Sequence, residues 1–158
     1  MALLLKNLTF TLLVLGTVAG YLPLLIAGGR RPASGSLLVL AIALLALGGA
    51  VYAWCVWDFA SFGRGTPAPI DAPRKLVVRG LYRYTRNPMY VGVLTVILGQ
   101  AALFRSPGLL VYAGGVAACF HLFVTGYEEP HLAGAFGADY EAYRARVPRW
   151  LPRPRPRG

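Results

Sequence analysis

From Ser36 to Trp57 the chain carries no charged side chain. Wound as a helix, that stretch rises about 33 Å, enough to cross the ~30 Å hydrocarbon core of a bilayer. In water it would have to be covered on every side, and the rest of the chain has little polar surface to spare. Of 158 residues, 56% are hydrophobic and 14% charged. Three more apolar runs follow the same pattern, at about 3–27, 88–104 and 107–126. Lys6 is the one charge in the first, and Pro23 predicts a kink near its end. The last two are parted by little more than Arg105 and Ser106, which predicts a tight hairpin. The expected fold is all-α and integral to the membrane: about four transmembrane helices and a C-terminal amphipathic cytoplasmic helix, one membrane domain over 1–158. A cleaved signal peptide fits the first run less well, because its apolar part is longer than the usual ~7–15 residues.

Charge sets the expected orientation. Lys and Arg number 16 against 6 acids. Arg30, Arg31 and Arg105 occupy the first and third connections, while the other basic residues are Lys6, six within 64–86 and six within 144–157. The positive-inside rule then puts both termini and the long second connection in the cytoplasm. Most of this arginine is accounted for by topology and attraction to anionic membrane lipids. Nothing beyond the basic charge points to nucleic acid, and the Arg/Pro tail at 152–158 reads as disordered. Cys55 and Cys119 lack a CxxC partner and read as packing residues, and no His/Cys/carboxylate cluster has metal-ligand spacing. Gly92 and Gly99 in the third run, and Gly114 and Gly115 in the fourth, predict close backbone approach.

Two polar segments are richer than tethers need to be. The loop 58–87 opens with Gly/Pro turn material, continues into the β-branched "KLVV" at 75–78, and ends in "LYRYTRNP" at 81–88. Asn87 suits the N-cap of a helix whose first position is Pro88. The segment 128–147 places Leu132, Phe136, Tyr140, Tyr143 and Val147 on one helical stripe, ended by Pro148. The plain reading of that stripe is a helix lying on the membrane surface. It leaves unexplained Glu128 and Glu129, two carboxylates beside the negative C-terminal end of an apolar helix. The free N-terminus of a following helix, an arginine from the long loop, or a bound cation could each compensate them.

The two segments together carry a resemblance. "GLYRYTRNPMYVG" at 80–92 and "EEPHLAGAFGADYEAYRARVPRWLP" at 128–152 resemble the isoprenylcysteine carboxyl methyltransferase family and the related small phospholipid N-methyltransferases, including a bacterial branch. The resemblance runs from about Gly63 to Pro152. It implies a methyltransferase of the membrane, here a bacterial inner membrane, that uses S-adenosylmethionine without a Rossmann sheet. The implied cofactor contacts are Arg74, Lys75, Leu76 and Val77, then Tyr82, then Asn87, Pro88, Met89 and Tyr90, and finally Glu128. Two positions depart from the carboxyl methyltransferases: Asn87 stands where they carry histidine, and Val124 where the prenylcysteine enzymes carry arginine. Both departures argue against a prenylcysteine acceptor.

Chemistry suits those residue types. Helix N-terminal N–H groups hold a carboxylate, a glutamate holds an amine or a ribose hydroxyl, and tyrosine faces suit a sulfonium or an adenine. The expected activity is methyl transfer to a lipophilic, membrane-embedded acceptor, with oligomeric state open. A carboxylate acceptor needs no base, whereas an amine or thiol needs one, for which His121 and Glu129 are the candidates. The alternatives are an NADPH-dependent reductase of the sterol-reductase type, which shares an Arg-x-Pro-x-Tyr helix start, and a non-catalytic protein that binds lipid headgroups.

Overall fold

The computed structural model describes residues 15–63 and 76–151. A π-helical turn, Thr17–Tyr21, leads into α1 (Leu22–Ala27). The long α2 (Ser36–Asp58) follows, then a short 3-10 turn (Gly80–Arg83), α3 (Pro88–Leu103), α4 (Pro107–Phe123) and α5 (Glu129–Arg146). All regular structure among the described residues is helical, and "KLVV", where described, is coil rather than strand. Two helical stretches are long and apolar enough to cross a membrane by length and composition, Ser36–Ser61 and Pro107–Arg146. Thr17–Ala27 and Pro88–Leu103 are shorter apolar helices. Lys6 and the first part of the first apolar run, up to residue 14, the turn-rich half of the loop with Arg74 and Lys75, and the tail 152–158 lie outside the described residues.

The outward faces are what lipid would demand. Val39, Leu40, Ile42, Leu47 and Trp57 on α2, and Leu110, Val111 and Leu122 on α4, are all exposed. Inward, α2 buries Ala41, Gly48, Tyr52, Cys55 and Asp58, one stripe at helical spacing. It packs along α3, where Gly48 and Gly92 let the backbones meet. A Cβ on Gly48 would lie 2.7 Å from the Gly92 carbonyl oxygen, and one on Gly92 would lie 3.1 Å from that of Gly48. Gly99 repeats the contact two turns on, against Leu45. The expectation for Gly114 and Gly115 is corrected: among the described residues a Cβ on either would meet no neighbouring element within 4 Å, because they sit on the exposed side of α4. Cys119 also faces outward, while Cys55 is buried in the core with Tyr52, Tyr82, Met89, Val93 and Ile97.

Asp58 fastens the loop to the bundle. It is buried at the end of α2, and its Oδ1 lies 3.2 Å from Arg79 Nε. Gly80, next in the chain, has φ 55, and a Cβ there would run into the Asp58 carboxylate. Only glycine meets both conditions.

The junction after α4 departs from expectation. No new helix begins at Glu128; the helix passes from α4 through a π-helical turn (Val124–Glu128) directly into α5. Pro130 explains the widened turn, since it has no N–H to give and its ring crowds the carbonyl four residues back. Thr125 Oγ1 takes up the His121 carbonyl at 2.8 Å. The chain turns instead at Gly137 (φ 51, ψ −125). Beyond it the expected stripe is only partly a surface feature: Tyr140, Tyr143 and Val147 are buried, packed with Leu76, Leu132, Ala133 and Phe136. Tyr143 donates to the Tyr82 carbonyl at 2.7 Å and so holds the 3-10 turn from the other side.

The glycine contact gives a test of the packing. Gly48→Val should cost about 1–3 kcal/mol by overpacking α2 against α3, whereas Gly114→Val should change stability by less than about 0.5 kcal/mol. Thermal unfolding in detergent, followed by circular dichroism, separates the two.

Candidate functional site

At one end of the bundle α2, the 3-10 turn, α3 and α4 surround a pocket whose cavity proper is about 70 Å³, widening to about 570 Å³ with the solvent-open space at its mouth. Tyr82, Asn87, Met89, Tyr90 and Glu128 line it, five of the residues expected from sequence. Arg86, Tyr52, Phe59, Val93 and Phe120 complete most of the wall. Pro88 is buried at the start of α3, beside Asn87 and Met89. Val77 belongs to the core behind Tyr82, and Leu76 packs against Tyr140 and its neighbours, so these two shape the wall from behind. Arg74 and Lys75 lie outside the described residues.

Asn87 does not cap α3 with its side chain. Its Nδ2 donates instead to the Arg149 carbonyl at 3.1 Å, and the same carbonyl accepts from Thr85 Oγ1 at 3.0 Å. Arg86 N–H donates to the Pro148 carbonyl at 2.9 Å. The short segment 148–150 is therefore a strap across the start of α3. Because Pro88 has no N–H and the Asn87 side chain does not cap the helix, the first-turn N–H groups of Met89 and Tyr90, two residues of the pocket wall, have no side-chain cap among the described residues.

The two glutamates lie just past the apolar stretch of α4, and their surroundings differ. Glu129 is buried, and Arg149 meets it with two hydrogen bonds, Nε to Oε1 at 2.7 Å and Nη2 to Oε2 at 3.0 Å. Arg86 Nη1 adds an ion pair at 3.1 Å. Burial alone would raise the Glu129 carboxyl, but the Arg149 hydrogen bond and the Arg86 and Arg149 charges outweigh it and hold it below the usual carboxylate range. Glu128 faces the pocket. Among the described residues it takes one hydrogen bond, from the Tyr90 hydroxyl at 3.0 Å, and no arginine. Burial pushes its carboxyl above the usual range; the Tyr90 hydrogen bond opposes this and the neighbouring Glu129 charge adds to it. The compensation expected from a free helix N-terminus is absent, since the helix is continuous through both residues. Arginines hold Glu129, and Glu128 is left to the pocket.

Neither candidate base lines the pocket. His121 sits on the exposed side of α4, its Nδ1 accepting from Trp150 Nε1 at 3.2 Å. Glu129 is occupied by its arginines. Arg149 and Trp150 were missed as contributors: they stand in the quoted C-terminal motif, but only the reversal of the chain after Val147 brings them to α3. The Trp150 ring reaches Tyr90 at 6.4 Å between centroids, and Tyr90 packs on Phe120 at 4.6 Å. A tryptophan alone among Arg and Pro was the available signal.

The family model for phospholipid methyltransferases matches this chain over residues 36–139, which spans α2 to just past the turn at Gly137. Protein-S-isoprenylcysteine O-methyltransferase of Schizosaccharomyces pombe is 37% identical over 78 residues, covering 49% of this chain and 33% of that protein. Protein-S-isoprenylcysteine O-methyltransferase B of Arabidopsis thaliana is 33% identical over 78 residues, covering 49% of this chain and 40% of that protein. The match thus spans less than half the length of either relative.

The contrast between the carboxylates can be measured. Glu129→Gln should lower stability at pH 7 by about 2–3 kcal/mol, below the ~3–5 of a fully buried pair because Arg149 is one-third exposed. Its folded carboxyl titrates below the unfolded one, so this contribution is complete above about pH 4.5 and is lost as pH falls further. Glu128→Gln should leave stability at pH 7 equal or higher, because it removes a half-buried carboxyl whose ionisation is opposed. Melting curves of both variants between pH 4 and 8 decide it; loss of stability in both, or neither, would contradict the division.

Proposed function

Since the chain belongs to the phospholipid methyltransferase family, we propose that it is an S-adenosylmethionine-dependent methyltransferase acting on a lipophilic acceptor within the membrane. The supporting observation is Glu128: a half-buried carboxylate that takes no ion pair among the described residues and lines a pocket rich in aromatic rings at the start of α3. That donor set fits the cofactor. Glu128 holds its amine or a ribose hydroxyl, the N–H groups of Met89 and Tyr90 hold its carboxylate, and the faces of Tyr82 and Tyr90 cover the sulfonium and the adenine. When bound, S-adenosylmethionine supplies an electrophilic methyl group on a sulfonium. The protein's share is alignment and exclusion of water, for which Tyr90 is fixed three ways, by Glu128, Phe120 and Trp150.

In the membrane, the four apolar helices form a bundle with both termini and the pocket at the cytoplasmic face. The acceptor enters between helices, past the apolar side of the pocket at Val93 and Phe120. With His121 on the outer face and Glu129 neutralised, an acceptor that arrives already ionised fits best, so the favoured reaction is O-methylation of a lipophilic carboxylate. The two relatives, named as isoprenylcysteine O-methyltransferases, agree with that class. Arg86, the one cationic residue on the pocket wall among the described residues, keeps the field there favourable to an anion.

S-adenosylhomocysteine binding to the detergent-purified chain tests the pocket by calorimetry. Glu128→Ala should weaken binding at least about tenfold and Tyr90→Phe by a smaller factor. Absence of binding to the wild type, or equal binding to Glu128→Ala, rules the reading out. With a carboxylate acceptor, kcat should stay flat between pH 6 and 9; a slope rising with pH would instead mean that a base removes a proton from the acceptor.

A further inference from the structure

A second, open cleft lies at the end of α5 beside the strap, with a cavity of about 290 Å³. Arg86, Arg144, Arg146 and Arg149 bound it, with Val147 and Pro148 between them. Two carboxylates are engaged there: Glu129 with Arg86 and Arg149, and Glu141 with Arg144 at 2.9 Å. Four guanidinium groups against two carboxylates leave an excess of two positive charges. Cations at a helix C-terminus are favourable in themselves, and that accounts for Arg144 and Arg146. It does not account for Arg86. The Arg86 side chain is nine-tenths buried, and its Nε–H has no hydrogen-bond partner among the described residues. A buried charged donor left unsatisfied is costly, so its setting suits an acceptor supplied from outside the chain.

Position narrows the acceptor. Arg86 stands two residues before Pro88, where an apolar helix begins, and the glutamates it neighbours stand where another ends. The cleft is therefore level with the edge of the apolar layer, the depth of headgroup phosphates. Guanidinium forks match the paired oxygens of a phosphate, and Arg146, whose Nε is spent on the Ala142 carbonyl, keeps its terminal nitrogens available.

We propose that this cleft is a phosphate-binding site for the headgroup of an anionic lipid, separate from the cofactor pocket and sharing only Arg86 with it. The site does not depend on the methyl-transfer reading. A headgroup phosphate bound between Arg86, Arg144 and Arg146 seats the C-terminal segment on the membrane. Because Arg149 and Arg86 also clamp Glu129, it stiffens the wall that the two clefts share.

The test is thermal unfolding of the full chain in a neutral detergent with four additions: dihexanoyl phosphatidate, dihexanoyl phosphatidylglycerol, dihexanoyl phosphatidylcholine and inorganic phosphate. The anionic lipids should raise Tm saturably, by about 5 °C, and phosphatidylcholine should not. Arg144→Gln/Arg146→Gln, both at exposed positions, should shift the saturating concentration up about tenfold. Arg31→Gln/Arg105→Gln, at the far end of α3 and α4, should leave it unchanged. Saturation by inorganic phosphate at the same concentration as by phosphatidate would support the phosphate site with a soluble source; saturation by the lipids alone supports the headgroup. Equal stabilisation by phosphatidylcholine, no stabilisation by any phosphate-bearing anion, or equal shifts in the two double variants would overturn the proposal.

Discussion

Three stretches of chain meet at the Glu129 carboxylate: the end of the loop through Arg86, the α4–α5 junction through Glu129 itself, and the strap through Arg149. A carboxylate so buried would be costly alone, and the Arg149 fork with the Arg86 charge makes it tenable. Around this clamp the weaker contacts fall into place. The Arg149 carbonyl collects Asn87 and Thr85, Pro148 accepts from Arg86 N–H, and Trp150 lands near Tyr90. The pocket wall is thus closed by electrostatics on its polar side and by apolar packing along α2 and α3 on the other.

The same geometry separates two adjacent glutamates into different roles. Successive residues on a helix point about 100° apart. With Glu129 turned to the strap and its arginines, Glu128 must turn toward the bundle, where Tyr90 is its partner. One carboxyl is stabilised as an anion, and the other is kept short of positive charge. Environments that drive neighbouring titratable groups in opposite directions are a mark of functional sites, and here the pair is also covalently adjacent.

The helical architecture could be read from the apolar runs, because a stretch such as Ser36–Trp57 without charge leaves the backbone few ways to satisfy its own hydrogen bonds. The pocket wall around Tyr82, Asn87, Tyr90 and Glu128 was likewise legible, because its residues fall in two compact motifs. What escaped depended on direction rather than identity. His121 is an intramembrane histidine by position, yet the rotation of α4 puts it outside, against Trp150. Gly114 and Gly115 look like Gly92 and Gly99 in sequence, but only the latter pair meets a neighbouring backbone or side chain closely. Asn87 has the right type for a cap and spends its amide on the strap instead. A one-dimensional pattern fixes which residues share a helix face, but it leaves open which way that face turns.

The π-helical turn at Val124–Glu128 ties this question of direction to the site. A widened turn holds one more residue than an α-turn, so everything beyond it is rotated by roughly one residue's step, about 100°. Pro130 is the local cause, since a straight α-helix would set its ring against a carbonyl one turn back. The rotation that relieves that clash also decides which carboxylate faces the pocket and which faces Arg149. A proline that looks like a helix start in the sequence therefore acts within a continuous helix. Its effect falls on Glu128 and Glu129 immediately before it, and through them on the clamp and the pocket together.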